Sequence, residues 1–157
     1  MQGAAFCLPE YEEDSHCLPL LVLVVDEGSL KLRISTISEP QRGSLALGEL
    51  ITSEELPTSD LDVSVLEPPA LAMGGFPDAM VCTLGNIIVV LFRAFGAMLA
   101  YEFKNNGVQM IADERVEHYI IDAVMRYSAI EGSAEIVMLL SDNDNPKDGR
   151  IVSYFFR

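Results

Sequence analysis

Paired apolar runs, each pair joined at a glycine, constrain this chain more than any other feature. Ile87-Ile88-Val89-Val90-Leu91-Phe92 is continuous and largely β-branched, Arg93-Ala94-Phe95-Gly96 interrupts it, and Ala97-Met98-Leu99-Ala100-Tyr101-Glu102-Phe103 follows. β-Branched and aromatic side chains suit a pleated surface and glycine reaches turn conformations closed to other residues, so the spacing predicts two antiparallel strands. Lys104-Asn105-Asn106-Gly107 then supplies residues that adopt positive φ at low steric cost, ahead of Val108-Gln109-Met110-Ile111. A second pair, Ala134 to Leu140 and Arg150 to Phe156, flanks a polar turn that ends in Asp148-Gly149.

The N-terminal half holds a third pair. Leu20-Leu21-Val22-Leu23-Val24-Val25 is too continuously apolar for a half-exposed strand and suits one buried on both faces. After Asp26-Glu27-Gly28, the segment Ser29 to Ser35 alternates, with Leu30, Leu32 and Ile34 on one face and Lys31 and Arg33 on the other. Residues 1–17 have no period and read as a mobile lead-in, and 18–157 reads as a single β-rich domain. Ser44 to Leu56 holds Thr52 and Glu55 at capping-box spacing, which suits a short helix. Leu61 to Leu66 fits a strand, Ala70 to Pro77 a connection, and Ala79 to Leu84 a strand leading into the central hairpin. The segment 113–130 is ambiguous. Val116, Tyr119, Ile120, Ala123, Val124 and Tyr127 fit a helical stripe, whereas a strand puts Tyr119, Ile121, Ala123 and Met125 on one face, and the strand is preferred.

With 157 residues, half of them hydrophobic, the chain is long enough to bury a core. Its formal charge of −14 argues against a phosphate-binding surface, which needs clustered Lys and Arg. The acid is uneven: residues 1–77 carry 13 Asp or Glu against 3 Lys or Arg, and residues 78–157 carry 11 against 7. Protein partners with basic surfaces are therefore expected, not nucleic acid or membrane, although acids also keep an apolar chain soluble. Cys7, Cys17 and Cys82 make an odd count without CxxC spacing, which suits an intracellular setting, cytoplasmic or nuclear. No signal peptide is visible, and Ile87 to Tyr101, interrupted by Arg93 and Gly96, falls short of the roughly 20 residues needed to span a bilayer.

The hairpins overlay one another. Leu20–Val25 with Leu30–Ile34, Ile87–Phe92 with Met98–Phe103, and Ile136–Leu140 with Ile151–Phe156 each comprise an apolar strand, a glycine-bearing turn and a second strand. Ile88 and Ile136 lie 48 residues apart, Val22 and Ile88 66 apart, and a period in the forties with insertions suits a four-stranded propeller blade. On these residues the chain resembles a divergent WD-repeat-like β-propeller. It departs from that family in having no Trp, and so no Trp-Asp dipeptide, and no Gly-His pair. The resemblance implies a mainly β, propeller-like stack of antiparallel hairpins that binds proteins through its rim and loops, and about three blades' worth of chain implies a fragment or a subunit completed by another chain. An arc of that kind leaves apolar edges open, so a free monomer is not expected.

Candidate chemistry is sparse. Ser141-Asp142-Asn143-Asp144-Asn145-Pro146-Lys147-Asp148-Gly149 clusters carboxylates on a loop, but Pro146 and the missing closing Glu break the EF-hand order, so a solvated turn is the expected reading. Cys7, His16 and Cys17 lack a fourth zinc donor. His118, beside Glu117 and near Asp122, has the chemistry of a general base, yet no nucleophile motif answers it. Gly74-Gly75 and Gly43-x-x-x-x-Gly48 lack the Lys of a phosphate loop, and Tyr154-Phe155-Phe156-Arg157 reads as a terminal core strand rather than a base-stacking platform. No catalytic, cofactor-binding or metal-binding residue is therefore assigned.

Leu21, Leu23, Val25, Leu32, Ile88, Val90, Phe92, Leu99, Phe103, Ile136, Met138, Leu140, Val152, Tyr154 and Phe156 are the expected core. The expected function is a non-catalytic protein-interaction module or scaffold subunit of a larger assembly. The alternative is a small acidic α+β domain with a helix at about 113–130, which is similar to secretion-chaperone-like binding proteins in charge and length and would take a peptide or protein by a groove or a sheet edge. An enzyme with an unrecognised site around His118 is the third reading.

Overall fold

The computed structural model describes residues 2–5, 17–26, 29–41, 44–57, 79–116, 118–129, 132–141 and 148–157, with side chains at 31–35, 49–57 and from 79 onward within these ranges. The chain forms two compact units, Met1–Pro77 with Lys104–Val108 and Asp78–Phe103 with Gln109–Arg157. The described residues contain strands and no helix, arranged in three antiparallel sheets of strands consecutive in sequence.

The first sheet runs β1 (Gln2–Ala5), β2 (Cys17–Asp26), β3 (Ser29–Gln41) and β4 (Ser44–Glu55) in that order. The hairpin read at Gly28 is present, with Val25 opposite Leu30 and Asp26 opposite Ser29. Leu32 and Ile34 are fully buried, as the alternation of that strand requires. The side chains of Leu21, Leu23 and Val25 lie outside the described residues, as do the segments 61–66 and 70–77.

Two readings in this half differ from the structure. Ser44 to Leu56 is not a helix. It pairs with β3, placing Thr52 opposite Ile34 and Glu55 opposite Lys31, with register shifts along the way. Thr52 and Glu55 satisfy a capping pattern locally, but an adjacent strand with open hydrogen-bonding groups and an oppositely charged lysine offers more than a short helix interrupted by Gly48. Within the stretch read as a lead-in, Gln2–Ala5 pairs with Leu20 to Leu23 of β2. Small residues without a period carry no strand signal of their own, so this pairing comes from the neighbour.

The second sheet runs β5 (Ala79–Leu84), β6 (Ile87–Phe92), β7 (Ala97–Lys104) and β8 (Gly107–Arg115), and the third has the order β11-β10-β9, from β9 (Tyr119–Tyr127), β10 (Ala134–Ser141) and β11 (Gly149–Phe156). Gly85 takes φ 57° at the first position of its two-residue turn, the arrangement of a type II′ hairpin, whereas Asn105 and Asn106 take φ 53° and 57°, as type I′ demands of both. The helix considered at about 113–130 is absent: β8 ends at Arg115 and β9 pairs with β10 along its length. A helical stripe would bury Val124 and Tyr127, which are 59% and 60% exposed.

The strand assignment needs one amendment. Asp122 lies opposite Leu139 and Ile120 opposite Leu140, so Ile121 is an extra residue and β9 carries a bulge. The bulge turns Ile120 to the core beside Ala123 and Met125, displacing the Tyr119 and Ile121 expected there. Arg93, from the β6–β7 turn, donates to the carbonyls of Ile120 (2.9 Å) and Ile121 (2.7 Å) and lies over the Tyr119 ring.

The second and third sheets share one core. Val89 and Leu91 of β6, Met98 and Ala100 of β7 and Ala112 of β8 meet Ile120 of β9, Ala134 to Leu140 of β10 on alternate positions, and Phe156 of β11. Residues 88–92 and 97–101 are buried on both phases of their alternation, so β6 and β7 have no solvent face. Of the expected core, Val152 and Tyr154 are only half-buried, at the β11 margin.

Gly96 holds the β6–β7 turn against the connection between β8 and β9. Its carbonyl accepts the Val116 amide at 2.7 Å, its φ is +58°, and a Cβ built on it would overlap the Val116 carbonyl oxygen and stand 2.6 Å from that of His118. Gly132 has a similar φ of +66° but open space around it. Gly132→Ala is expected to cost about 1 kcal/mol through backbone strain alone, and Gly96→Ala about 3 kcal/mol or more because backbone atoms must also move. Urea unfolding midpoints of the two variants measure the difference.

Candidate functional site

The outer face of the β9–β11 sheet, opposite its core face, is where apolar side chains lack cover. Strand alternation puts Asp122, Val124 and Arg126 of β9, Glu135, Val137 and Leu139 of β10, and Ile151, Ser153 and Phe155 of β11 on this face. The pairing registers set them in three rows: Asp122–Leu139–Ile151, Val124–Val137–Ser153 and Arg126–Glu135–Phe155. Ile151 is 75% exposed, Val124 59%, Phe155 43% and Leu139 37%. Leu139 and Ile151 sit directly opposite one another, as do Val124 and Val137, so the exposed groups form one patch.

The patch has a shallow relief. One depression of about 190 Å³ is lined by Asp122, Val124, Val137, Leu139 and Ile151, and another of about 210 Å³ lies among Arg126, Tyr127, Glu135 and Phe155. Sites that enclose small molecules run to roughly 300–1,000 Å³. These are too small and too open for that.

An ion pair closes one end of the face. Arg126 Nε donates to Glu135 Oε2 at 2.9 Å and Nη2 to Oε1 at 3.5 Å, with the Glu135 side chain 5% exposed beneath a guanidinium-bearing chain 64% exposed. The Arg126 hydrogen bond, followed by one from Ser153, holds the Glu135 carboxyl below the usual carboxylate range. A carboxylate fixed in this way marks the polar border of the patch.

The residues singled out for chemistry are not brought together. His118 is half-buried in the β8–β9 connection with Nδ1 lacking a hydrogen-bond partner, while Asp122 Oδ1 accepts the Ala123 amide at 2.9 Å on the outer face. Glu117, Cys7, His16 and residues 142–147 lie outside the described residues, as does the side chain of Cys17, so the loop and soft-ligand candidates fall there. Gly48 lies within β4 rather than at a helix start, and Gly74-Gly75 is outside the described residues. Cys82 is a free, half-buried thiol whose pKa is raised by burial and then by Asp122, the opposite of what a nucleophile needs. Among the described residues no group of three or more His, Cys, Asp or Glu is placed to hold a metal ion, and no helix is long and apolar enough to cross a membrane.

The exposed patch was not singled out from the sequence. The available signal was that β11 is apolar on both phases, Ile151 and Phe155 on one and Val152, Tyr154 and Phe156 on the other, a pattern that reads as core on both sides. Compared with protein-family models, curated proteins and solved structures, the chain matches none.

A depressed carboxyl pKa in the folded state stabilises the fold fully above the unfolded value, about 4.3 for Glu, and that contribution is lost as pH falls through the folded value. Glu135→Gln is therefore expected to be less stable than the parent at neutral pH, with the gap narrowing below about pH 4 and closing at lower pH. Urea midpoints across pH check this, and a gap that ignores pH would assign the loss to packing.

Proposed function

We propose that this protein is a non-catalytic protein-interaction module, a scaffold subunit that docks partner proteins on the outer face of its β9–β11 sheet. The observation that carries the proposal is the contiguous exposed patch of Val124, Leu139, Ile151 and Phe155 on a regular sheet. Solvated sheet faces normally alternate to polar residues, and a large apolar patch rimmed by polar groups marks an interaction surface. A propeller-like arrangement is the finer part of the reading. It is supported by sheets of consecutive strands and by the face-to-face core of the second and third, as neighbouring blades pack. On this reading the patch is where a further sheet, supplied by a partner, would sit.

Charge selects among partners. A chain of net charge −14 attracts a partner whose contact rim is basic, and the apolar rows supply the desolvated centre. The free Cys82 thiol supports the reading of an intracellular setting.

Affinity capture with the full chain, followed by titration of the purified partner, tests the proposal. Combining Val124→Asp with Ile151→Asp is expected to weaken binding about 30-fold, the effect of losing a central contact worth about 2 kcal/mol, while both exposed sites leave the melting transition nearly unchanged. Raising salt should slow association with a basic partner. Partner affinity untouched by the double substitution would remove this face from the interaction.

A further inference from the structure

The outer face of the β9–β11 sheet carries charge at both ends, and the two ends differ. At one end the Arg126 guanidinium is answered by Glu135 through hydrogen bonds of 2.9 and 3.5 Å, so the pair is close to neutral. At the other end Asp122 is exposed, and its one hydrogen-bond partner among the described residues is the Ala123 amide, on Oδ1 at 2.9 Å. That bond satisfies a backbone donor without cancelling the charge of the carboxylate, and Oδ2 is left to water or a ligand.

The surroundings of Asp122 are apolar. Pairing sets it opposite Leu139 and Leu139 opposite Ile151, while Val124 and Val137 form the next row. These five side chains line the depression of about 190 Å³. A carboxylate at the margin of an aliphatic hollow asks for an occupant with two parts, a methylene stem and a cationic head. Long basic side chains have both, laying their stems on apolar surface while the charge stays in water.

We propose that this depression is a subsite for a lysine side chain of the docked protein, its stem lying on Val124, Val137, Leu139 and Ile151 and its ammonium meeting Asp122. The proposal rests on the reading of this face as a docking surface and adds which group of the partner is recognised there. Lysine fits better than arginine for a geometric reason: a guanidinium pairs best with both oxygens of a carboxylate at once, whereas an ammonium needs one. Oδ1 of Asp122 already accepts an amide. The subsite also orients the partner. Asp122 and Arg126 lie four residues apart on β9, about 13 Å along a strand, so a partner turned end for end would set its cation against the exposed Arg126 side chain. The net charge of −14 favours the approach of a cation, and the apolar rows between the two ends take the residues that flank the lysine.

Pentylammonium, which reproduces the lysine stem and head, tests the subsite on the full chain. Amide and methyl resonances of the isotope-labelled protein should shift at Asp122, Val124, Leu139 and Ile151. Pentanol, with the same stem and no charge, should shift the same residues with about threefold weaker affinity, the scale of an exposed ion pair. The preference should shrink at about 1 M salt, where the Debye length falls to about 3 Å. Asp122→Asn keeps an oxygen for the Ala123 amide and should abolish the preference, with circular dichroism and thermal melting establishing that the variant folds as the parent does. Absence of shifts at these residues, equal affinity for the ammonium and the alcohol, or a preference that survives Asp122→Asn would each overturn the proposal, and tighter binding of pentylguanidinium would overturn the choice of lysine. A lost ammonium preference with partner affinity still sensitive to Val124→Asp and Ile151→Asp removes the lysine subsite alone. Partner affinity untouched by that double substitution removes the docking reading instead.

Discussion

A sheet that is apolar on both faces must be covered on both faces, and that requirement organises this protein. Ile88 to Phe92 and Ala97 to Tyr101 are buried at every position, so β6 and β7 cannot lie at a surface. Each fully buried aliphatic or aromatic side chain contributes about 1.5–3 kcal/mol relative to exposure, which makes stacking a second sheet on one of these faces strongly favourable. Ile120, Ile136, Met138 and Phe156 provide that cover from the third sheet. The third sheet inherits the same problem with only one face solved.

Stacking alone does not determine how the two sheets are aligned. Alignment comes from the Arg93–Gly96 turn, where a backbone approach that only glycine permits sits next to a guanidinium with two carbonyl partners. Those carbonyls belong to the residues at the β9 bulge, so a local irregularity in one sheet is held by a turn of the other. The bulge brings Ile120 into the core and ends the regular alternation that would have placed Ile121 there. Hydrogen bonding and packing are therefore satisfied by the same distortion, as expected where buried backbone groups must all find partners.

The functional reading follows from what this construction leaves over. The outer face of β9–β11 has the apolar rows of a buried sheet with an ion pair at one end, and among the described residues β11 pairs only with β10. Among the described residues no cluster of titratable groups competes with it: His118 and Asp122 have different surroundings, and the Cys82 thiol is suppressed by burial and by Asp122. Surface that water should disfavour, kept in regular geometry, suits recognition between proteins better than chemistry on a small molecule.

Local sequence determined the hairpins, because strand period and turn chemistry act over a few residues. Leu30 to Ile34, Ile87 to Phe103 and Ala134 to Phe156 could be read as extended, and Asn105-Asn106 as a turn, from side-chain shape and permitted φ alone. Only tertiary structure decided that Ser44 to Glu55 is a strand, since its capping pattern is local while its pairing with β3 is not. The same holds for Gln2–Ala5 and for the bulge at Ile121, which register with distant strands imposes. It also holds for the exposed patch. Ile151 and Phe155 are as apolar as Val152 and Phe156, and whether such a face is core or surface depends on which side of the sheet has a neighbour, a fact about space that no run of residues encodes by itself.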